Sequence, residues 1–407
     1  MYYSDGAAMK LTHNIFIRSP FFSRGLSLIE LMVALAISAI LMLGVATVFL
    51  GSKRGYQVNT EVAALQENAR FALHTLTTEI RNAGYSGCGS LQGKQVNMIT
   101  RKTLPNDAIP GFELDGPLPP PGSLGRSRFN INTHVTGHEI DGGGNAAPAF
   151  DSLLGIANIE PNTSAITIRK VSACSARVTA VAPGQTTVTN NCNFTAGDIV
   201  MVTDCDKYDL VSLSGAAPAG ADMVLTHNNT DNVQNTLSMA PSGLLPDFDI
   251  RVGKVESIVF YIGRDAPAPG GNLGLYEARY SIVGGALNAQ RQELIRDIEN
   301  MVITYGIDTD KDKDGQENRL ASMNIINDAV ITDGMHPVND FEEGGELEPG
   351  ETPWSRVVSV NLRFLVASQP VGTALKPFTF NGINFPGADT RYRKQFVTAI
   401  NLRNRTP

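Results

Sequence analysis

"RGLSLIELMVALAISAILMLGVATVFLGSKRG", residues 24–55, places a single carboxylate, Glu30, near the start of a run that is otherwise fit for a lipid bilayer. Residues 26–50 contain no other ionisable group, and about 25 residues at about 1.5 Å each outspan a hydrocarbon core of about 30 Å. The stretch therefore reads as a transmembrane helix. A carboxylate inside such a helix costs about 2.5–3.5 kcal/mol on insertion scales, so Glu30 calls for a partner that offsets this penalty.

The residues before the run narrow the search. A secretory signal peptide places its apolar region ahead of the cleavage site. Here the basic stretch "KLTHNIFIRSPFFSRG" comes first, Gly25 ends it, and the apolar run begins at Leu26. A cut after Gly25 leaves the apolar helix at the extreme N-terminus of the mature chain, with Glu30 as its fifth residue. The helical pattern then continues beyond the bilayer: Val58, Val62, Leu65, Ala69, Ala72, Leu76 and Ile80 recur at spacings of three and four, one face of a helix. Arg81 in a last turn and Gly84 just after it are C-terminal signals, so the helix is expected to run to about Ala83.

From residue 86 onward the pattern turns to β. Runs rich in β-branched and aromatic residues recur between turn residues: "AITIRKV", "ARVTAVA", "GDIVMVTDC", "ADMVLTH", "VESIVFYIG", "LYEARYSIV", "MVITYGID", "VVSVNLRFLVA" and "QFVTAINLRN". Antiparallel sheet is the expected result. "DGPLPPPGSLG", "DGGGNAAP", "RDAPAPGGN" and the acidic "NDFEEGGELEPGETP" read as loops. The expected fold is α+β: a long transmembrane and amphipathic helix, residues 26–84, packed on a large antiparallel β-rich domain, residues 85–407, behind a leader of residues 1–25.

Composition limits the function. The formal net charge is −7, and the leader contributes Lys10, Arg18 and Arg24 against Asp5, so the body is more acidic still. Such a surface argues against nucleic acid as a partner. One basic cluster, Arg391, Arg393, Lys394, Arg403 and Arg405, reads more simply as the face of a terminal strand. All four cysteines, Cys88, Cys174, Cys192 and Cys205, lie beyond the membrane helix, and their even number suits two disulfides in an oxidising compartment. Four cysteines allow three pairings. A turn at Gly197 and Asp198 that folds "CNFTA" back on "IVMVT" favours Cys192 with Cys205, leaving Cys88 with Cys174.

"DTDKDKDG" offers Asp310, Asp312 and Asp314 ahead of Gly315, the opening of a calcium loop, with the main-chain carbonyl of Gln316 as a further oxygen and Asp308 as a nearby charge. Ala321 stands where an EF-hand requires a bidentate Glu, so only a simpler DxDxDG loop for Ca²⁺ is expected. His134, His138 and Glu139 sit in a glycine-rich stretch without a helical stripe, a poor setting for a metal. No GxSxG, HExxH or Walker pattern occurs, and no catalytic constellation is found. The chain is not expected to be an enzyme.

Gly25, Leu26, Ser27, Leu28, Ile29 and Glu30 together resemble the class III signal of type IV prepilins and type II secretion pseudopilins: Gly, a cut, an apolar residue, then "(S/T)LIE". In addition, "QENARFALHTLTTEIRNAGYSGC", "GDIVMVTDC" and "YRKQFVTAINLRNR" resemble the PilW family of large minor pilins, which implies that the α+β fold is pilin-like. The resemblance implies cleavage between Gly25 and Leu26 by a prepilin peptidase, N-methylation at Leu26, and pairing of Glu30 with the terminal amine of a neighbouring subunit. It further implies a single-pass inner-membrane protein, its C-terminal domain periplasmic, that primes pilus assembly and sits at or near the pilus tip. Twitching motility and adhesion would follow. Other minor pilins, the major pilin and a large tip adhesin are the implied partners. A large pseudopilin of a type II secretion system shares the same N-terminus, and a membrane-anchored enzyme or receptor is the reading in which Glu30 has no role in assembly.

Overall fold

The computed structural model describes residues 27–88, 96–98, 131, 134–144, 146–147, 158–189, 192–230, 232, 234–238, 249–267, 270–283, 286–308, 319–321, 353–372 and 374–404. One helix, α1 (Leu28–Arg81), opens it. At about 1.5 Å per residue its 54 residues measure about 81 Å. The chain divides into two compact units, residues 1–57 and 58–407.

In the first unit, every described side chain is exposed, Leu28, Met42 and Val48 at 77, 73 and 70%. The helix is long and apolar enough to cross a membrane, and none of its most apolar window is buried within the chain.

In the second unit the helix becomes part of a core. Leu65, Ala69, Ala72, Leu76 and Ile80 are buried, five members of the stripe expected from spacing, while Val58 and Val62 are half-buried. The helix stops at Arg81, two residues short of expectation, and Gly84 at φ +72° takes the left-handed conformation that a C-terminal glycine adopts without penalty.

The strands, in chain order, are β1 (Val96–Met98), β2 (Val135–Ile140), β3 (Ala146–Ala147), β4 (Ser164–Ala182), β5 (Gln185–Thr189), β6 (Ile199–Thr203), β7 (Tyr208–Ser212), β8 (Gly215–Ala219) and β9 (Asp222–Thr226). Then follow β10 (Arg251–Arg264), β11 (Leu273–Val283), β12 (Ala286–Arg296), β13 (Ile298–Ile307), β14 (Arg319–Ala321), β15 (Val357–Pro370), β16 (Phe378–Phe380), β17 (Ile383–Phe385) and β18 (Arg391–Asn401). Each of the nine runs expected to be strands overlaps a strand. "AITIRKV" and "ARVTAVA" share one, the 19-residue β4.

Among the described residues the strands form a 12-stranded, a 4-stranded and a 2-stranded sheet. Pairing is antiparallel except for β1 beside β7. Alternation then sorts the side chains. On β10, Ile258, Phe260 and Ile262 join the cluster that contains the helix stripe, while Val255, Val259 and Tyr261 join a second cluster on the opposite face. The 4-stranded sheet, in the order β14–β13–β15–β18, adds Met301, Ile303, Val360, Leu362, Phe364 and Ile400 to the helix cluster. Residues 65–83 are thus packed against side chains from both large sheets. A third cluster, with Val188, Val202, Val211 and Leu225, lies around β5, β6, β7 and β9.

Gly137 shows why a glycine sits within β2: a Cβ there would strike the Tyr305 hydroxyl and lie 2.8 Å from the Trp354 indole. Tyr305 and Trp354 pack edge to face, ring centres 5.0 Å apart, and burial pushes the Tyr305 phenol well above its ordinary pKa.

Candidate functional site

Ser27 and Glu30 form a reciprocal pair at the start of α1. The Ser27 main-chain N–H donates to Glu30 Oε2 at 3.1 Å, and the Glu30 N–H donates to Ser27 Oγ at 3.2 Å. This is a capping box, which supplies partners for two of the N–H groups that a helix start leaves open. The sequence signal, Ser-x-x-Glu ahead of an apolar run, is present in "SLIE". It gives Glu30 a local structural role that the cost of burying a carboxylate does not reveal. Leu28, Ile29, Leu31 and Met32 around it are 52–77% exposed, so the carboxylate stands in an apolar patch that no other described part of the chain covers. Gly25 and Leu26, the expected cleavage and methylation positions, lie outside the described residues.

The other end of the helix is fastened to the sheets. The Gly84 N–H donates to Arg169 O at 2.8 Å and the Val171 N–H to Tyr85 O at 2.7 Å, so residues 84–85 bond to β4 as a short strand would. Lys170 Nζ lies 2.6 Å from Glu79 on the helix, and Arg279 lies 2.9 Å from Glu277, 3.6 Å from Glu256 and 3.8 Å from Glu79. The Asn404 amide donates to Ala83 O at 3.0 Å, tying the end of the chain to the same junction. No local sequence signal marks Glu79, Lys170 and Arg279 as partners, because the fold brings them together across long stretches of chain.

Two disulfides are present, and their pairing corrects the expected one: Cys88 joins Cys205 and Cys174 joins Cys192, with Cα separations of 5.3 and 5.9 Å. Cys192 precedes β6 and Cys205 follows it. The five-residue strand stands between them in sequence, and each is bonded to a cysteine from elsewhere in the fold. The turn at Gly197 exists, but its N–H bonds to Leu213 O beyond β7 and does not fold the Cys192 segment onto β6.

Arg391 and Arg393 lie on a terminal strand, as expected, and are engaged internally. Arg393 pairs with Glu299 at 2.6 Å and with Asp389, and Arg391 pairs with Asp297 at 2.7 Å and Glu299 at 2.9 Å. The Arg393 hydrogen bond holds the Asp389 carboxyl below its ordinary pKa. Gln369 closes the group: its side chain bonds to Asp297, and its main-chain N–H donates to Glu61 of the helix.

His134, His138 and Glu139 fall in or beside β2. Both imidazoles are buried, His138 Nε2 lies 2.7 Å from Thr167 Oγ1, and burial raises the Glu139 pKa. Asp310, Asp312, Asp314 and Gln316 lie outside the described residues. Asp308 is buried at the end of β13, its N–H donating to Arg356 O. Among the described residues no group of three or more His, Cys, Asp or Glu side chains is placed to hold a metal.

Two family comparisons match. Residues 22–46 match the prokaryotic N-terminal methylation motif, which spans the capping box and the start of the apolar helix. Residues 259–404 match type IV pilus-assembly protein W, covering the second half of β10 through β18. No curated protein and no solved structure matches the chain. The prepilin-type N-terminus, the helix packed on antiparallel sheets and the match over residues 259–404 together support a type IV pilin similar to the PilW family.

Proposed function

We propose that the chain is a minor pilin that starts pilus assembly at the inner membrane and occupies a place at or near the pilus tip. A prepilin peptidase cuts between Gly25 and Leu26, Leu26 is N-methylated, and the domain beyond the helix enters the periplasm, from which it reaches the pilus to support twitching and adhesion. The observation that carries this reading is Glu30: a carboxylate bonded only to its own Ser27 among the described residues, on an exposed apolar stretch of helix. In a membrane, the terminal amine of a neighbouring subunit neutralises it, so a group that is expensive alone selects for assembly when paired. The match to pilus-assembly protein W favours the pilus over a type II secretion system. Other minor pilins, the major pilin and a large tip adhesin are the partners in this reading. The run Asp310, Asp312, Asp314 with the Gln316 carbonyl is proposed as a calcium loop on its alternation of carboxylates, and coincident melting curves in calcium and in chelator would remove it.

Glu30→Ala tests the core of the proposal. Membrane insertion is expected to be intact, the mature N-terminus to remain Leu26, and incorporation into pili to fall at least about tenfold, the equivalent of 1.4 kcal/mol of lost pairing. Ser27→Ala, which removes only one capping bond worth about 1 kcal/mol, is expected to reduce incorporation less. Normal pilus number and twitching in Glu30→Ala would transfer support to the tethered enzyme or receptor.

A further inference from the structure

β18 closes the 4-stranded sheet with one side open. Its pairing with β15 runs from Asn401 opposite Ser359 to Arg391 opposite Pro370, and among the described residues no strand lies on its outer edge. One bond fixes the parity of the ladder. The Leu402 N–H donates to Val358 O at 2.9 Å, one step beyond the Asn401–Ser359 pair. Bonded and non-bonded pairs alternate along an antiparallel ladder, so Lys394, Phe396, Thr398 and Ile400 turn their N–H and C=O to β15, while Gln395, Val397, Ala399 and Asn401 turn theirs to the open side.

Native sheets guard open edges with short strands, proline or charge. Among the described residues, the other strands with an open edge follow this rule: β1, β3, β14, β16 and β17 are two or three residues long, β8 carries Pro218, and β12 carries Arg291, Glu293 and Arg296. β18 has 11 residues. Two of its charges are engaged inside the chain, since Arg391 and Arg393 pair with Asp297, Glu299 and Asp389. Beyond Lys394 the run "QFVTAIN", residues 395–401, is uncharged, and Val397 is 62% exposed, with Gln395, Ala399 and Asn401 exposed beside it.

We propose that this edge is a docking site for an extended segment of another protein chain, which adds to the sheet as a further strand beside β18. The exposed cations at the two ends of the run, Lys394 and Arg403, set the chemistry of the partner: an uncharged, β-branched middle with a carboxylate toward each end. Main-chain bonds to Gln395, Val397, Ala399 and Asn401 supply the affinity, and the end charges supply register and specificity. A second copy of β18 meets this demand poorly, because it brings Lys394 and Arg403 where carboxylates are called for.

The edge belongs to the second unit, and its test uses no property of Glu30. The full chain in detergent is titrated with fluorescent synthetic peptides matched to β18 in length, alternating Thr and Val, with Glu or with Lys at both ends, and anisotropy reads binding. The Glu-ended peptide is expected to bind with a Kd of about 0.1 mM or tighter, and the Lys-ended peptide about tenfold more weakly or worse. Val397→Pro removes an N–H from the open side and none from the β15 ladder, and should weaken the Glu-ended peptide by about tenfold or more. Lys394→Glu, at an exposed position, keeps the test decisive if the proline variant unfolds: it should reverse the preference between the two peptides. Absent binding of the Glu-ended peptide, equal binding of both peptides, or a preference unchanged in Lys394→Glu overturns the proposal. So does a dimer of the chain on light scattering that Val397→Pro makes monomeric, which gives the edge to a second copy.

Discussion

Residues 28–57 and residues 58–81 belong to one continuous helix and are stabilised in opposite ways. Among the described residues the first stretch carries its own turns and the Ser27–Glu30 cap, with every side chain exposed; the second buries five side chains among residues from two sheets and is followed by main-chain bonds to β4. An apolar stretch that the described residues leave exposed is suited to cover by lipid or by other apolar helices. The packed stretch needs nothing further. Continuity of the helix thus conceals a change from local to long-range stabilisation.

The largest expected effect comes from cutting the tie at the packed end. Cys88–Cys205 closes a sequence separation of 117 residues and Cys174–Cys192 one of 18. On loop-closure entropy the first is worth about 4.7 kcal/mol or slightly more and the second about 3 kcal/mol. Replacing both cysteines of each pair with Ser in the full chain and measuring denaturant unfolding should therefore give the larger loss for Cys88/Cys205. Peptide mapping of unreduced protein should recover Cys88 linked to Cys205. A Cys192–Cys205 peptide would contradict the fold around β6.

Next in size is a direct contrast of the two stretches. Leu76 is fully buried and Leu41 is 64% exposed, yet both are leucines on one helix. Leu76→Ala should lose about 2–5 kcal/mol through lost burial and a residual cavity. Leu41→Ala should stay within about 0.5 kcal/mol in detergent unfolding. Equal losses would mean that the first stretch is also held by its own chain.

These outcomes bear on what the sequence makes legible. The helix, its buried stripe and nine strand segments could be read because each is a periodic local pattern, from Leu65 through Ile80 or along "VESIVFYIG". Strands with weak patterns escaped. β12 reads "ALNAQRQELIR", rich in helix formers, and is a strand because β11 supplies a full antiparallel partner from Gly274 to Val283. β2 was obscured by its glycine, which the Tyr305–Trp354 contact requires. The disulfide pairing depended on which segments the fold brings beside Cys192 and Cys205, and the Glu79–Lys170–Arg279 junction on three distant segments meeting. Both are tertiary facts. At the helix start the Ser-x-x-Glu motif was legible in full, and the capping bond added the reason that the serine stands three residues before the carboxylate.

The smallest expected effect separates the packed unit from the exposed helix face by pH. His227, at the end of β9, is buried, its Nε2 3.4 Å from Thr186 Oγ1, and burial lowers its pKa below the ordinary value. The unfolded chain then binds a proton at a higher pH than the folded chain does. Stability from this group is complete above about pH 6.5, the unfolded value, and is lost as pH falls toward the lower folded value. A single proton limits the slope to about 1.4 kcal/mol per pH unit. Melting of the full chain between pH 5 and 7 should be less acid-sensitive in His227→Gln than in the parent. If the His227 variant leaves the profile as steep as the parent's, the satellite strands around β5 and β9 are not the acid-sensitive part of the molecule.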